Sequence, residues 1–156
     1  MRLHICAIGR LRAGPERALI DDYLNRFDRA GRALSLGPCS EHEVDDRKAT
    51  TPAAQARLLE RALPAGAIVI ALDERGDKAD SRGFAQMLAA RRDSGCGDLA
   101  FVIGGADGLE PEFRNRAQGL LSFGPMVWPH ALARVMLSEQ IYRAATILAG
   151  SPYHRD

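Results

Sequence analysis

The apolar positions of this chain alternate between short continuous runs and stripes with helical spacing. The clearest runs are residues 67–73 and 99–103. Continuous apolar runs of this length are typical of parallel strands covered on both faces. Residues 3–8 form a third run, which ends at Gly9. We therefore expect at least three buried strands, with weaker strands at 33–39 and 120–123 and a charged loop at 74–80.

Between these runs the apolar residues recur at helical spacing. Pro15 begins one such stretch, which ends before Gly31, and Thr51-Pro52 begins another with the N-cap and first-turn proline that favour a helix start. Ser81 and the segment 110–112 predict two further helix starts. Residues 131–149 are apolar around most of the helix circumference, so this last helix is expected to be buried.

The alternation of strands and helices predicts an α/β fold with a mainly parallel sheet, flanked by helices, in a single domain spanning 1–156. A chain of 156 residues is long enough to bury one core without disulfides or metal. The apolar runs are too short for a signal peptide or a membrane span. We expect a cytoplasmic protein with no membrane association.

The charges nearly cancel, with 21 Lys+Arg against 20 Asp+Glu. This balance argues against a protein that coats nucleic acid through a broad basic surface. Any RNA substrate must then be chosen by local contacts and shape. The three cysteines, Cys6, Cys39 and Cys96, have no metal-ligand or disulfide spacing, so reduced thiols and no metal are expected.

Leu72-Asp73 and Ile103-Gly104-Gly105 lie at the carboxyl ends of predicted strands, where α/β sheets bind ligands. Gly104, Gly105 and Gly108 follow the run 99–103 and would let main-chain amides approach a flat ligand. The spacing is neither the dinucleotide fingerprint nor a P-loop, and an isolated turn of this kind is more often a tight connection. The apolar, Gly- and Pro-rich segment 122–129 suits a slot for an adenine ring, or else a packed crossover.

The C-terminal residues carry the strongest chemical signal. Tyr153, His154 and Arg155 can respectively stack on a base, exchange a proton near neutral pH and bind a phosphate. Arg143 lies four residues after Glu139 and could form a plain helical ion pair. His130 could simply cap or pack at a helix start. Other arginines, such as Arg10 and Arg12, suit a solvated surface or an RNA rim.

Five motifs in this order resemble those of the RlmH family of ribosomal RNA large subunit methyltransferases, and the resemblance covers the whole chain. They are Leu72-Asp73-Glu74-Arg75-Gly76 with Ser81, Phe101-Val102-Ile103-Gly104-Gly105-Ala106-Asp107-Gly108, Pro129-His130-Ala131-Leu132-Ala133-Arg134, Glu139-Gln140-Ile141-Tyr142-Arg143-Ala144 and Pro152-Tyr153-His154-Arg155. The terminal motif makes this likeness more specific than any glycine turn.

The resemblance implies a SPOUT-type methyltransferase fold with a C-terminal trefoil knot, active as a homodimer. It also implies methyl transfer from S-adenosylmethionine to N3 of a pseudouridine in 23S rRNA on the assembled ribosome, without a metal. The implied cofactor-binding residues are Leu72, Gly104, Gly105, Gly108, Gly124, Pro125, Met126, Val127, Trp128 and Pro129. The implied substrate-binding residues are His130, Arg134 and Tyr142, and the implied catalytic residues are Arg143, Tyr153, His154 and Arg155.

Some residues depart from the family pattern. Gly124-Pro125 and Val127 stand where relatives usually have Ser and Thr, and Trp128 replaces a smaller apolar residue. Backbone contacts to the cofactor would survive these changes. For the reaction itself, Arg143 or Arg155 is expected to stabilise the N3 anion and His154 to accept its proton.

Two other functions compete with this interpretation. A non-catalytic ribosome-binding factor could retain the fold without the methyl donor, and titration with S-adenosylmethionine separates the two. A nucleotide-dependent oxidoreductase is disfavoured by the glycine spacing and by the lack of an early glycine fingerprint.

Overall fold

The computed structural model describes residues 1–154, apart from the side chain of Lys48. Five strands form one parallel sheet in the order β2-β1-β4-β3-β5. The strands are β1 (Arg2–Ile8), β2 (Cys39–Val44), β3 (Ile68–Lys78), β4 (Asp98–Ile103) and β5 (Gly119–Ser122). The helices are α1 (Pro15–Gly31), α2 (Pro52–Ala62), α3 (Ser81–Asp93), α4 (Pro111–Arg116) and α5 (His130–Leu148). The α/β fold with a parallel sheet is confirmed.

Helices cover both faces of this sheet, which explains the continuous apolar runs. Side chains of α1, α3 and α5 pack on one face, around Ile5 and Phe101. Side chains of α2 and α4 pack on the other face, around Cys6 and Val102. Because successive strand residues point to opposite faces, a strand inside such a sheet must be apolar at every position.

Three helix starts have side-chain caps. Thr51 Oγ1 accepts a hydrogen bond from the Ala54 amide at 3.2 Å, as the Thr-Pro pair predicts. Glu110 caps α4 through the Phe113 amide at 2.7 Å. Helix α3 starts at Ser81, but its cap is Asp80, which accepts from the Gly83 amide at 2.6 Å. The sequence predicted Ser81 itself as the cap, so both the cap and the helix start lie one residue earlier than predicted.

The second strand was misplaced by the apolar pattern. The stretch predicted as a loose strand contains a 3-10 turn at Arg32–Leu34, and β2 instead includes the polar Ser40, Glu41, His42 and Glu43. This strand lies at the edge of the sheet. Its carboxylates are paired with arginines of the helices that cover it, so polarity does not exclude it from the sheet.

Strand β3 is longer than predicted and includes most of the expected charged loop. Its first part pairs with β5 at Leu72↔Leu121, and after an irregularity Asp77 pairs with the same Leu121. The chain crosses β5 closely at Gly76, where an added Cβ would lie 2.7 Å from the backbone of Leu120. The strand can continue past its apolar run because glycine occupies this crossing.

The last helix, α5, starts at His130, one residue from the predicted start, and is largely buried, as expected. It packs mainly against α1 and α3. No helix in the described part of the chain is long and apolar enough to cross a membrane. Cys6 and Cys39 are buried and Cys96 is partly buried, and all three are free thiols.

Candidate functional site

A cavity of about 690 Å³ opens where the carboxyl ends of β3, β4 and β5 meet the start of α5. Its walls include nine of the ten residues predicted to bind the cofactor, namely Leu72, Gly104, Gly105, Gly108, Gly124, Met126, Val127, Trp128 and Pro129. Pro125 is the exception. The carboxyl edge of a parallel sheet is where ligands bind in folds of this class, and three separate segments therefore converge on one site.

The glycine turn after β4 forms one wall, with its main chain tightly folded. Gly108 donates its amide to the Gly105 carbonyl at 3.0 Å, and Gly108 has φ +76°. A Cβ on Gly104 would lie 2.8 Å from the Gly108 carbonyl carbon, and one on Gly105 would lie 2.9 Å from Gln55 Oε1. Glycine is required here for close packing, and it leaves a wall of main chain facing the cavity.

The opposite wall is the segment between β5 and α5. Gly124 has φ +105°, a conformation that an L-residue with a side chain rarely adopts. Ser122 Oγ accepts from the Gly124 amide at 3.1 Å, and its hydroxyl lies 3.3 Å from the Glu74 carbonyl. Ser122 thus connects this segment to β3. Met126 and Val127 are 65% and 86% exposed, which leaves apolar surface at the mouth of the cavity.

A carboxylate also lies in the cavity wall. The Asp73 side chain is only 7% exposed and accepts the Arg75 amide at 2.9 Å. Arg114 of α4 holds its second oxygen at 3.5 Å. The sequence placed Asp73 at a predicted strand end but indicated no role for its side chain. Its position directly after the buried part of β3 was the signal that could have identified it.

The C-terminal residues gather around Glu139 of α5. Arg143 donates to Glu139 Oε1 through Nε at 2.9 Å and Nη2 at 2.7 Å, and Tyr153 donates its hydroxyl to the same oxygen at 3.0 Å. Arg143 Nη1 lies 3.3 Å from His154 Nδ1, which must be the acceptor because guanidinium nitrogens only donate. The predicted helical ion pair is present, and it also organises the chain terminus.

These contacts raise the pKa values of Tyr153 and Arg143. Burial, reinforced by the Glu139 hydrogen bond, raises the pKa of Tyr153 to about 12. The hydrogen bond to Glu139 raises the pKa of Arg143 above its ordinary value. At neutral pH the phenol is therefore protonated and the guanidinium is charged. Neither group can accept a proton, which leaves His154 as the candidate acceptor among the described tail residues.

The tail cluster does not reach the cavity of its own chain. Neither Tyr153 nor His154 lines that cavity in the described part of the chain. Glu139 instead borders a neighbouring cavity of about 630 Å³, which shares Ser122, Phe123 and Gly124 with the first. Arg155 lies outside the described residues. Within one chain, the predicted cofactor and catalytic residues therefore form two groups.

The remaining predicted substrate residues have different environments. His130 begins α5 and lines the cavity. Tyr142 packs in an aromatic group with Tyr23 and Tyr153, at centroid distances of 6.2 and 4.8 Å. Its ring is half-buried within this group and also lies 5.9 Å from the Arg26 guanidinium. Tyr142 therefore supports the tail and lies apart from the cavity.

Arg134, expected to face RNA, is instead completely buried. Nη1 is paired with Glu43 Oε1 at 2.8 Å and Glu41 Oε1 at 3.2 Å, and Nη2 donates to the carbonyls of Ile8 and Gly9. The sequence showed an arginine on an apolar helix. It could not show that two carboxylates lie beside it, because the strand was predicted to end near Cys39, before Glu41 and Glu43. Arg134 is a structural residue in this chain.

Comparison with known proteins decides the family. The family model described as "Predicted SPOUT methyltransferase" matches residues 1–154. The chain belongs to the SPOUT methyltransferase family. Proteins named "Ribosomal RNA large subunit methyltransferase H" are similar over the full length. The one from Ruegeria sp. (strain TM1040) is 62% identical over 155 residues, 99% of both chains, and that from Roseobacter denitrificans is 62% identical over all 156.

Solved structures support the SPOUT fold at low sequence identity. A probable methyltransferase from Bordetella pertussis superposes with a TM-score of 0.53 at 15% identity, covering 92% of this chain and 96% of that one. A probable methylase family protein from Haemophilus influenzae gives 0.54 at 16% identity, covering 99% of this chain and 70% of that one. The cavity of this SPOUT methyltransferase thus lies in a fold shared with proteins described as methyltransferases.

Proposed function

We propose that this SPOUT methyltransferase transfers a methyl group from S-adenosylmethionine to N3 of a pseudouridine in the 23S rRNA of the assembled ribosome. The observation that carries the proposal is the cavity in which the glycine turn after β4, the end of β3 and the segment before α5 meet. The name of its full-length relatives, ribosomal RNA large subunit methyltransferase H, supports large-subunit rRNA as the substrate. The choice of pseudouridine N3 and of the assembled ribosome rests on the resemblance to the RlmH family.

The cavity suits the proposed methyl donor. Main chain at Gly104 and Gly105 can hydrogen-bond the edge of an adenine, while Leu72 and Trp128 supply apolar surface for its faces. Added side chains at Gly104 or Gly105 would clash with neighbouring atoms. The Asp73 carboxylate, already oriented by Arg114, is placed to accept hydroxyl hydrogens of a ribose. The departures at Gly124, Pro125 and Val127 leave these main-chain contacts possible.

In methyl transfer from a sulfonium, the main task of the protein is to position the acceptor atom relative to the methyl carbon. Bound S-adenosylmethionine supplies an electrophilic methyl carbon, and its sulfur keeps the electron pair of the broken bond. The residues of this chain must align the acceptor N3 and exclude water. The acceptor must also lose its N3 proton. We assign proton acceptance to His154 and electrostatic stabilisation of the anion to Arg143 and Arg155.

A homodimer is part of this proposal. The tail cluster and the cavity are separate within one chain, so a second copy can bring its tail to the first copy's cavity. Exposed apolar side chains are available for such an interface, namely Met126 and Val127 at the cavity mouth and Leu132 in the first turn of α5. We also retain the trefoil knot and a cytoplasmic location as expectations from the family and from the ribosomal substrate.

The test is direct methylation. The protein and labelled S-adenosylmethionine are incubated with ribosomes lacking the modification, with naked rRNA as the parallel sample, and the label is mapped by mass spectrometry. We expect label at N3 of one pseudouridine, and only in ribosomes. Calorimetric titration with S-adenosylmethionine accompanies the assay. Absence of cofactor binding would favour a non-catalytic ribosome-binding factor and overturn the proposal.

A further inference from the structure

We propose that the loop between β1 and α1, residues 9–14, is a contact for RNA phosphates made by Arg10 and Arg12. Buried Arg134 fixes the position of this loop. The inference rests on the proposed function, since it identifies how the same site holds its ribosomal substrate. It also gives Arg134 an indirect role in RNA binding, in place of the direct one expected from sequence.

The loop lies at the same edge of the sheet as the cavity. Strand β1 is paired with β4 as far as Ala7↔Ile103, so both strands end together. The Ile8 side chain lies 3.3 Å from where a Cβ of Gly105 would be, which places the end of β1 against the glycine wall. Arg10 follows only two residues later. A nucleotide reaching the cavity would therefore bring its neighbouring phosphates near this loop.

Arg10 and Arg12 are available for an external anion. Both side chains are exposed, and neither forms an ion pair with any described residue. Other arginines do have acidic partners, as Arg17 has Asp21 and Arg47 has Asp45. Arg10 interacts with Asp45 only through its charge. The pKa of Asp45 is lowered to about 2 chiefly by its hydrogen bond with Arg47. Free guanidinium groups suit bidentate phosphate contacts.

The base of the loop is fixed by buried polar contacts. Arg134 donates to the Ile8 carbonyl at 2.9 Å and to the Gly9 carbonyl. The Leu11 amide donates to Glu43 Oε1 at 2.8 Å, the same oxygen that pairs with Arg134. A further bond joins the Gly9 amide to the Val44 carbonyl at 2.8 Å. A loop held in this way presents its arginines with little loss of freedom on binding.

A local contact of this kind is consistent with the charge of the whole chain. A net charge of +1 gives no broad basic surface for RNA. A few unpaired arginines placed beside the cavity can still supply sequence-independent phosphate contacts that orient the substrate. We therefore assign the loop to substrate affinity and not to the chemical step.

The experiment compares Arg10→Gln/Arg12→Gln with wild type. Methyl transfer is measured against ribosome concentration at several salt concentrations. Ribosome binding is measured by co-sedimentation, and S-adenosylmethionine binding by calorimetry. We expect the KM for ribosomes to rise about tenfold, with kcat and cofactor affinity within about twofold of wild type. The slope of log KM against log salt should fall by about 1 to 2, because each lost phosphate contact removes nearly one unit.

The matched control is Arg29→Gln/Arg32→Gln. These arginines are also exposed and form no ion pair in the described part of the chain, but they lie at the other end of α1. The control makes the same change in charge and should leave KM and the salt slope unchanged. If both double variants changed KM and the salt slope equally, the change in net charge alone would explain the result, and the inference would be overturned.

Three further outcomes would overturn the assignment of the loop. A double variant with the wild-type KM would overturn the loop assignment while leaving methylation intact. A raised KM with an unchanged salt slope would indicate contact with ribosomal protein and would also overturn it. If the wild type neither binds nor methylates ribosomes, the proposed function fails and the inference fails with it.

Discussion

Arg134 shows how the surroundings of a single side chain decide its role. Its guanidinium is buried between two carboxylates and two carbonyls, and its Nε has no hydrogen-bond partner among the described residues. Desolvating these charges is costly, so the network does not by itself imply high stability. Removing Arg134, however, would take the donor away from two carbonyls and leave Glu41 and Glu43 with Arg17 as their remaining cationic contact among the described residues.

Replacing Arg134 by Met should therefore lower the free energy of unfolding by about 3–5 kcal/mol. The physical reason is the loss of one of the two arginines that compensate Glu41 and Glu43, together with the carbonyls of Ile8 and Gly9 that lose their donor. Urea denaturation followed by circular dichroism measures the change. Arg29→Met is the control, expected within about 0.5 kcal/mol of wild type. A loss below about 1 kcal/mol for Arg134→Met would contradict the structural role.

A second residue-scale prediction concerns pH. Asp98, at the amino end of β4, receives two hydrogen bonds at 2.7 Å from Arg2 and lies 2.8 Å from His4 Nε2. The Arg2 contact, followed by that of His4, lowers the pKa of Asp98 to about 2. Its stabilising contribution is present above the ordinary carboxylate pKa and is lost as the pH falls from about 4 to about 2.

Asp98→Asn should accordingly be roughly 1 kcal/mol less stable than wild type at pH 6, a modest value because the Arg2 partner is exposed. This difference should shrink as the pH approaches 3. Denaturation midpoints of both proteins between pH 6 and pH 3 provide the measurement. A difference that stays constant over that range would show that the carboxylate charge is not responsible.

At the scale of elements, the cavity depends on how β4 ends. Gly104 directly follows the last residue of β4 and begins the glycine turn that forms one wall of the cavity. It packs against the Gly108 main chain. The sequence pattern predicted the end of the strand, and it predicted that the glycines would let main chain approach a ligand. It could not distinguish a tight connection from a cavity wall, because that depends on β5 and α5, which come later in the chain.

Gly104→Ala should displace this turn and weaken S-adenosylmethionine binding at least tenfold, which corresponds to about 1.4 kcal/mol. Calorimetry with the purified variant gives the affinity, and thermal unfolding confirms that it is folded. Gly97→Ala is the matched control, since a Cβ there meets no described atom within 4 Å. Equal affinities of the two variants would mean that the turn does not contact the cofactor.

At the scale of the whole molecule, the separation of the tail from the cavity has a testable consequence. If the functional unit is the proposed homodimer, a variant defective in its cavity and a variant defective in its tail should complement each other. Mixing Gly104→Ala with His154→Ala/Arg155→Ala, after partial unfolding and reassembly, should restore up to about a quarter of wild-type activity.

This fraction follows from simple counting. Half of the reassembled dimers are mixed, and each mixed dimer has one intact cavity served by one intact tail. Each variant alone should be much less active than the mixture, provided that the S-adenosylmethionine concentration is kept well below the dissociation constant of Gly104→Ala. The rate of labelled methyl transfer to ribosomes, measured by filter binding, reports the result. Lack of recovery in folded mixtures would contradict the shared site, and full activity of the tail variant alone would remove the catalytic assignments of His154 and Arg155.

The sequence alone determined the elements whose signals are local. Strands β1 and β4, helices α1, α2 and α5 and the glycine turn were predicted because continuous apolar runs, helical spacing and Thr-Pro or glycine punctuation depend on neighbouring residues. The motif order also identified the family. Only the tertiary structure decided that β2 is polar, that β3 continues through Gly76 and that Arg134 is buried. These features depend on partners distant in sequence, such as Glu41 and Glu43 for Arg134, and no local pattern reports whether a charge finds its counterion inside the fold or in solvent.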